Sequence, residues 1–106
     1  MYANMELKEM EVAAEKVSDL MKILSHKTRL MILCQLVDGE KSVGALTELL
    51  EARPPAMSQQ LALLRKDRLV TTRREGQTIY YALVRSDISK LMAFLYDTYC
   101  GEDAAL

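Results

Sequence analysis

Hydrophobic positions along the chain change their period, and the changes mark out helices and one hairpin. Residues 5 to 24, MELKEMEVAAEKVSDLMKIL, hold no Gly or Pro. Met10, Ala13, Val17, Leu20 and Leu24 recur at steps of three and four, the signature of one apolar helix face. Ser25 is the candidate N-cap of a second helix carrying Leu30, Ile32, Leu33, Leu36 and Val37. Beyond Arg29 that helix is apolar almost all round, which predicts a central buried position. Asp38-Gly39 is its expected stop, with the glycine placed for a left-handed cap. Ser42 then caps a short helix over Val43 to Leu50, with Leu46, Leu49 and Leu50 expected to turn inward.

Three residues, Glu51-Ala52-Arg53, separate that helix from a proline pair at the head of RPPAMSQQLALLRKDR. Proline suits a first helical turn, where its missing N–H would have had no partner. Behind it, Met57, Leu61 and Leu64 form another apolar stripe. Helix, short turn and helix is the helix-turn-helix spacing, here about 43–67. After Arg68 the period changes. Leu69 to Arg73 is short and β-branched, and Gln77 to Leu83 alternates as a half-buried strand does. Arg74-Glu75-Gly76 is the expected hairpin loop, giving a wing over about 69–83. Ser86 is the expected cap of a last helix over about 86–99, with Ile88, Leu91, Met92, Leu95 and Tyr99 on one side, and GEDAAL after it reads as frayed. The expected fold is a single winged helix-turn-helix domain over 1–106. It is mainly α with a small β-hairpin, in the order ααααββα.

The chain has 106 residues and a formal net charge of −1, which by itself argues against nucleic acid. The distribution reverses that argument. Arg53, Arg65, Lys66, Arg68, Arg73 and Arg74 face only Asp67 between positions 53 and 74, whereas Glu6, Glu9, Glu11, Glu15 and Asp19 dominate the first twenty residues. A local positive field over one surface is what phosphate binding needs. No apolar run is long enough to cross a bilayer, and the N-terminal stretch has no signal-peptide core, so a cytoplasmic location is expected. Two cysteines and one histidine are too few for a disulfide scaffold or a structural zinc site, and no cofactor is expected.

Off the apolar stripe of the proline-headed helix lie Ser58, Gln59 and Gln60, followed by Arg65. Amide side chains read base edges in the major groove and guanidinium groups hold phosphates, so this is the candidate recognition helix. Taken alone, one such helix reads more safely as a solvated helix with a polar face. His26 reads as a capping or core residue, and the tyrosines and methionines as packing.

LSHKTRLMIL at 24–33, MSQQLALLRKDRLV at 57–70 and RREGQTIYYAL at 73–83 together resemble the ArsR/SmtB family of bacterial winged-helix repressors. The pairing of Cys34 with Cys100 resembles the BigR/SqrR/HlyU subgroup of dithiol repressors. The resemblance implies a homodimer formed by the first and last helices, about 5–24 and 86–99. It implies double-stranded operator DNA with an inverted repeat as partner. It places groove contacts on Ser58 and Gln59 with Gln60 beside them, and wing contacts on Arg73, Arg74 and Gln77. The cysteine and histidine positions of the family's metal sensors are empty here, so no metal is expected. Pro54 and Pro55 depart from the family's polar first turn, and Arg68 stands where glycine commonly follows the recognition helix.

By spacing alone, Cys34 reads as a small buried hydrophobe and Cys100 as an inert thiol. The resemblance implies instead that a di- or polysulfide bridge between them, formed by reactive sulfur species, lowers operator affinity. A plain disulfide formed by peroxide-type oxidants is the alternative within the same class. A winged-helix protein-interaction module is the alternative from another class. An enzyme is disfavoured, because the chain lacks a C-x-x-C pair or a placed base. Neither thiol is strongly activated by its sequence neighbours: apolar residues surround Cys34, and Glu102 and Asp103 follow Cys100.

Overall fold

The computed structural model describes residues 6–100. Its elements are α1 (Leu7–Leu24), α2 (Lys27–Gln35), β1 (Lys41–Ser42), α3 (Val43–Leu49), α4 (Pro54–Lys66), β2 (Val70–Glu75), β3 (Thr78–Leu83) and α5 (Ser86–Tyr99). The strands form one antiparallel sheet in the order β1-β3-β2. This is the winged-helix arrangement expected from the periodicity, with β1 added. The expected start of α1 at Met5 and the tail from Gly101 lie outside the described residues.

The core gathers one face of every helix after α1. Ile32 and Leu33 of α2, Leu46 of α3, Met57, Leu61 and Leu64 of α4, Leu69, and Ile88 and Met92 of α5 are fully buried. The stripe on α4 is buried as its spacing requires. The stretch around α2 is central, packing against α1, α4 and α5. It is not buried on every side, because Met31 faces solvent and Cys34 is half-buried. α1 joins the core only through its last turn. Leu24 is buried, Leu20 and Ile23 pack against the cluster, and every residue from Glu6 to Asp19 is exposed.

Several local expectations are corrected. Ser25 closes α1 instead of opening α2: its hydroxyl donates to the Lys22 carbonyl at 2.7 Å, and His26 holds the N-cap position without a side-chain bond. Residue 25 is in reach of the last free carbonyls of α1, so the hydroxyl satisfies an acceptor there. Ser86 is the first residue of α5, and the N-cap position belongs to Arg85, which pairs with Asp87. α2 stops at Gln35, and the chain turns before reaching Gly39 at φ 140°. Leu49 is 53 % exposed: the inward edge of α3 runs through buried Leu46 and half-buried Leu50, one i, i+4 step apart, and Leu49 lies on its solvent side. Ser42 does cap α3, accepting from the Ala45 N–H at 3.0 Å.

Arg74 and Glu75 belong to the strand and not to the loop. Glu75 pairs with Thr78, leaving Gly76-Gln77 as a two-residue turn with φ 62° at the glycine. Positive φ at the first central position alone is the type II′ pattern, whose twist matches that of the flanking strands.

Candidate nucleic-acid interface and thiol pair

α4 is set by a left-handed residue on each side. Glu51 (φ 50°) follows α3, with its N–H bonded to the Glu48 carbonyl and the Ala52 N–H bonded to the Thr47 carbonyl. Arg68 (φ 61°) follows α4, with its N–H bonded to Arg65 and the Leu69 N–H bonded to the Leu64 carbonyl, each at 3.0 Å. Both are Schellman closures, and the second is sealed by the buried pair Leu64 and Leu69. The departure at Arg68 therefore costs backbone energy without changing the shape of the cap.

Burial of Met57, Leu61 and Leu64 turns Ser58 and Gln59 outward, and both are exposed. Gln60 is half-buried and engaged, its side-chain oxygen accepting from Arg29 Nε at 2.9 Å. Arg29 also donates from Nη1 to the Ile23 carbonyl at 3.3 Å, so one side chain ties the end of α1 to α2 and α4. Sequence reasoning missed this role of Arg29; a cation placed directly before the apolar run from Leu30 was the available signal. Arg65, Lys66 and Arg68 are exposed at the end of α4, and Arg53 is exposed at its start.

On the wing, Arg74 Nε donates to the Gly76 carbonyl at 3.0 Å and Gln77 is exposed at the tip. Arg73 is held. Its guanidinium lies 4.5 Å from the Tyr80 ring centre and bonds to the carboxylates of Glu40 and Glu75. Those hydrogen bonds, with Glu40 first, raise the Arg73 pKa and hold the Glu40 carboxyl below the usual carboxylate range. Glu40 was not legible as a wing partner, because it lies 33 positions away in the chain.

Cys34 and Cys100 are both free thiols, the first half-buried and the second exposed. Cys34 sits beside Met92 of α5, Sγ to Sδ 3.9 Å, and lines a cleft of about 360 Å³ between α2 and α5 with Gln35, Val37, Asp38, Ala93, Tyr96 and Asp97. Cys100 ends α5, its N–H bonded to the Tyr96 carbonyl at 2.8 Å. Burial pushes the Cys34 thiol up, and the nearby charge of Cys100 adds to that. The fold thus sets Cys34 against α5, the helix that Cys100 ends, although 66 positions separate the two cysteines. Glu102 and Asp103 lie outside the described residues. Among the described residues, no three His, Cys, Asp or Glu side chains are grouped to hold a metal ion, and no helix is long and apolar enough to cross a membrane.

Residues 26–72 match the family model described as bacterial regulatory protein, arsR family. The transcriptional activator HlyU of Vibrio cholerae is 44% identical over 98 residues, covering 92% of this chain and 91% of that protein. The chain belongs to the ArsR family. The biofilm growth-associated repressor of Xylella fastidiosa is 40% identical over 100 residues, covering 94% of this chain and 88% of that protein. Reduced HlyU from Vibrio cholerae superposes with a TM-score of 0.85 at 43% identity, over 90% of this chain and all of that one. The repressor BigR from Xylella fastidiosa gives 0.83 at 41% identity, over 92% of this chain and all of that one. This ArsR-family protein is a transcriptional regulator of the HlyU and BigR type, with the winged-helix fold of those structures. Its relatives are regulators of transcription, a family without enzymatic activity.

Proposed function

We propose that the chain is a homodimeric repressor whose operator affinity falls when Cys34 and Cys100 are joined within one chain. The observation that carries this reading is that Cys34 opens onto the cleft between α2 and α5, while the other free thiol, Cys100, ends α5. α2 carries Arg29, which bonds to Gln60 of α4, so a pull on α2 is transmitted to the reading head. α5 presents Phe94 (61 % exposed) and Tyr96 (55 % exposed), and α1 presents Leu7, Met10, Val12, Val17 and Met21. That much apolar surface on two helices supports their burial against a second copy. A bridge between α2 and α5 would then alter how the two recognition helices are spaced. A coupling of about 3 kcal/mol would weaken DNA binding roughly 150-fold.

DNA contacts are assigned to Ser58 and Gln59 in the major groove and to Arg65, Arg74 and Gln77 on the backbone and at the wing. Gln60 and Arg73 can join them only by leaving the partners described above. With an organic tetrasulfide, one thiolate displaces a thiolate leaving group and the second thiolate displaces another. The product is a bridge carrying two inserted sulfurs, and two thiols are released. With peroxide, one thiol becomes a sulfenic acid, and the second closes a disulfide with loss of water.

Intact-mass measurement paired with binding to an inverted-repeat operator duplex tests the reading. The expected result is loss of binding together with a mass gain of two sulfurs less two hydrogens after tetrasulfide. Loss of two hydrogens alone, obtained only with peroxide, would assign the oxidant instead. Release of DNA by a Cys34→Ser or Cys100→Ser protein would show that the bridge is not the switch.

A further inference from the structure

Arg73 of β2 reaches over Tyr80 of β3 to Glu40, the residue before β1. Arg73 on β2 stands opposite Tyr80 on β3, and Tyr80 stands opposite Ser42 on β1 from its other side. The guanidinium covers the Tyr80 ring, and beyond the ring it meets Glu40, the residue that leads into β1. Nε donates to both Glu40 oxygens at 3.2 Å, Nη2 donates to Glu40 Oε1, and Nη1 donates to Glu75 Oε2 at 2.9 Å. All three nitrogens of the fork are therefore committed to carboxylates, the planar geometry at which guanidinium excels.

Strand alternation puts the neighbouring arginine elsewhere. Val70, Thr72 and Arg74 share one face of β2, and Val70 is in the core, so Arg73 projects from the solvent face and Arg74 from the core-side face near the tip. A two-stranded hairpin is marginal alone, and β1 offers only two residues to steady it. Glu40 lies on the connection that becomes β1 and then α3. The bridge thus joins the outer strand of the wing to the entry of the helix-turn-helix.

Resting on the reading that this surface binds DNA, we infer that Arg73 is a positioning residue and not a phosphate contact. By spanning Tyr80 to Glu40 and Glu75 it fixes the angle of the wing to α3 and α4, and the phosphate contact of the wing falls to Arg74. Exposed ion pairs add little to global stability, so the bridge orients the wing without being needed for folding.

Two measurements test this on the full-length protein. Without DNA, amide exchange at Glu75, Thr78 and Tyr80, in the bonded pairs of the β2–β3 ladder, is followed in Arg73→Ala, Glu40→Gln and the double variant. Each single change is expected to speed exchange there several-fold at a melting temperature near wild type, and the double change to add nothing further. With a random-sequence duplex across a salt series, Arg74→Ala is expected to reduce the slope by about one phosphate. Arg73→Ala is expected to leave the slope unchanged, because a loosened wing still reaches phosphates. A slope flattened by Arg73→Ala, additive exchange effects, or unchanged wing exchange would each overturn the assignment. Failure of the wild-type protein to bind duplex DNA would instead sink the DNA-binding reading, while the exchange cycle would still decide the bridge.

Discussion

Glu51 and Arg68 occupy left-handed backbone that glycine takes without a Cβ clash. Replacing either by glycine relieves that clash but raises the entropy of the unfolded chain, so each variant should gain about 0.5–1 kcal/mol in denaturant melts. Only Arg68→Gly should also weaken binding to random duplex DNA, since it removes a cation at the end of α4. The Schellman bonds at both sites explain why the chain tolerates these residues: the cap is held by backbone groups and by Leu64 against Leu69. Cys34 makes a second prediction at this scale. Burial disfavours its thiolate, so its pKa lies above that of an exposed thiol and the thiolate fraction keeps rising with pH where an exposed thiol levels off. In a Cys100→Ser protein, the rate of iodoacetamide labelling at Cys34 should climb through pH 9 without levelling off. A plateau below pH 9 would show an activated thiol. Ser58 and Gln59 were readable from the helix period, whereas the engagement of Gln60 was not, because its partner Arg29 lies 31 positions away.

At the scale of elements, α4 is the best-predicted part of the chain. Its three inward residues repeat at a local period, and local periods survive without tertiary information. Gln59→Ala should therefore lower operator preference by about 1–3 kcal/mol if its amide reads a base, with little effect on random duplex. Equal losses on both DNAs would remove Gln59 from base reading. Helix ends were less legible. Ser25 and Ser86 each lie one residue from the position expected of them, and a hydroxyl near a boundary serves the preceding or the following helix with equal ease. β1 was invisible because two residues carry no alternation; it exists as a strand only because Tyr80 and Tyr81 are there to pair with it. For the α2–α5 pair, closing a loop of 66 residues should raise stability by about 4 kcal/mol in the chain-entropy model, less any strain. Comparing melts of reduced and bridged protein measures it.

Taken as a whole, the molecule extends 51 × 34 × 21 Å, and its first helix is exposed from Glu6 to Asp19. Leu95 packs against the core, so it is a poor probe of association; Val17 and Phe94 are exposed and are better ones. Val17→Asp with Phe94→Asp should leave the fold intact, yield monomers in sedimentation, and lose binding to half-sites about one helical turn apart. A dimer that survives both changes would place the interface elsewhere. The sequence by itself determined the helices, the hairpin and the basic stretch from Arg53 to Arg74, because periodicity, turn chemistry and charge are properties of neighbouring residues. Its blocks also carried the family resemblance. Only the tertiary structure decided which of those side chains remain free. Arg73 is taken up by Glu40, Gln60 by Arg29, and Cys34 is set against Met92 of α5. Each of those pairs is separated by more than thirty positions, and the partner is chosen by how helices and strands pack, which no local pattern encodes.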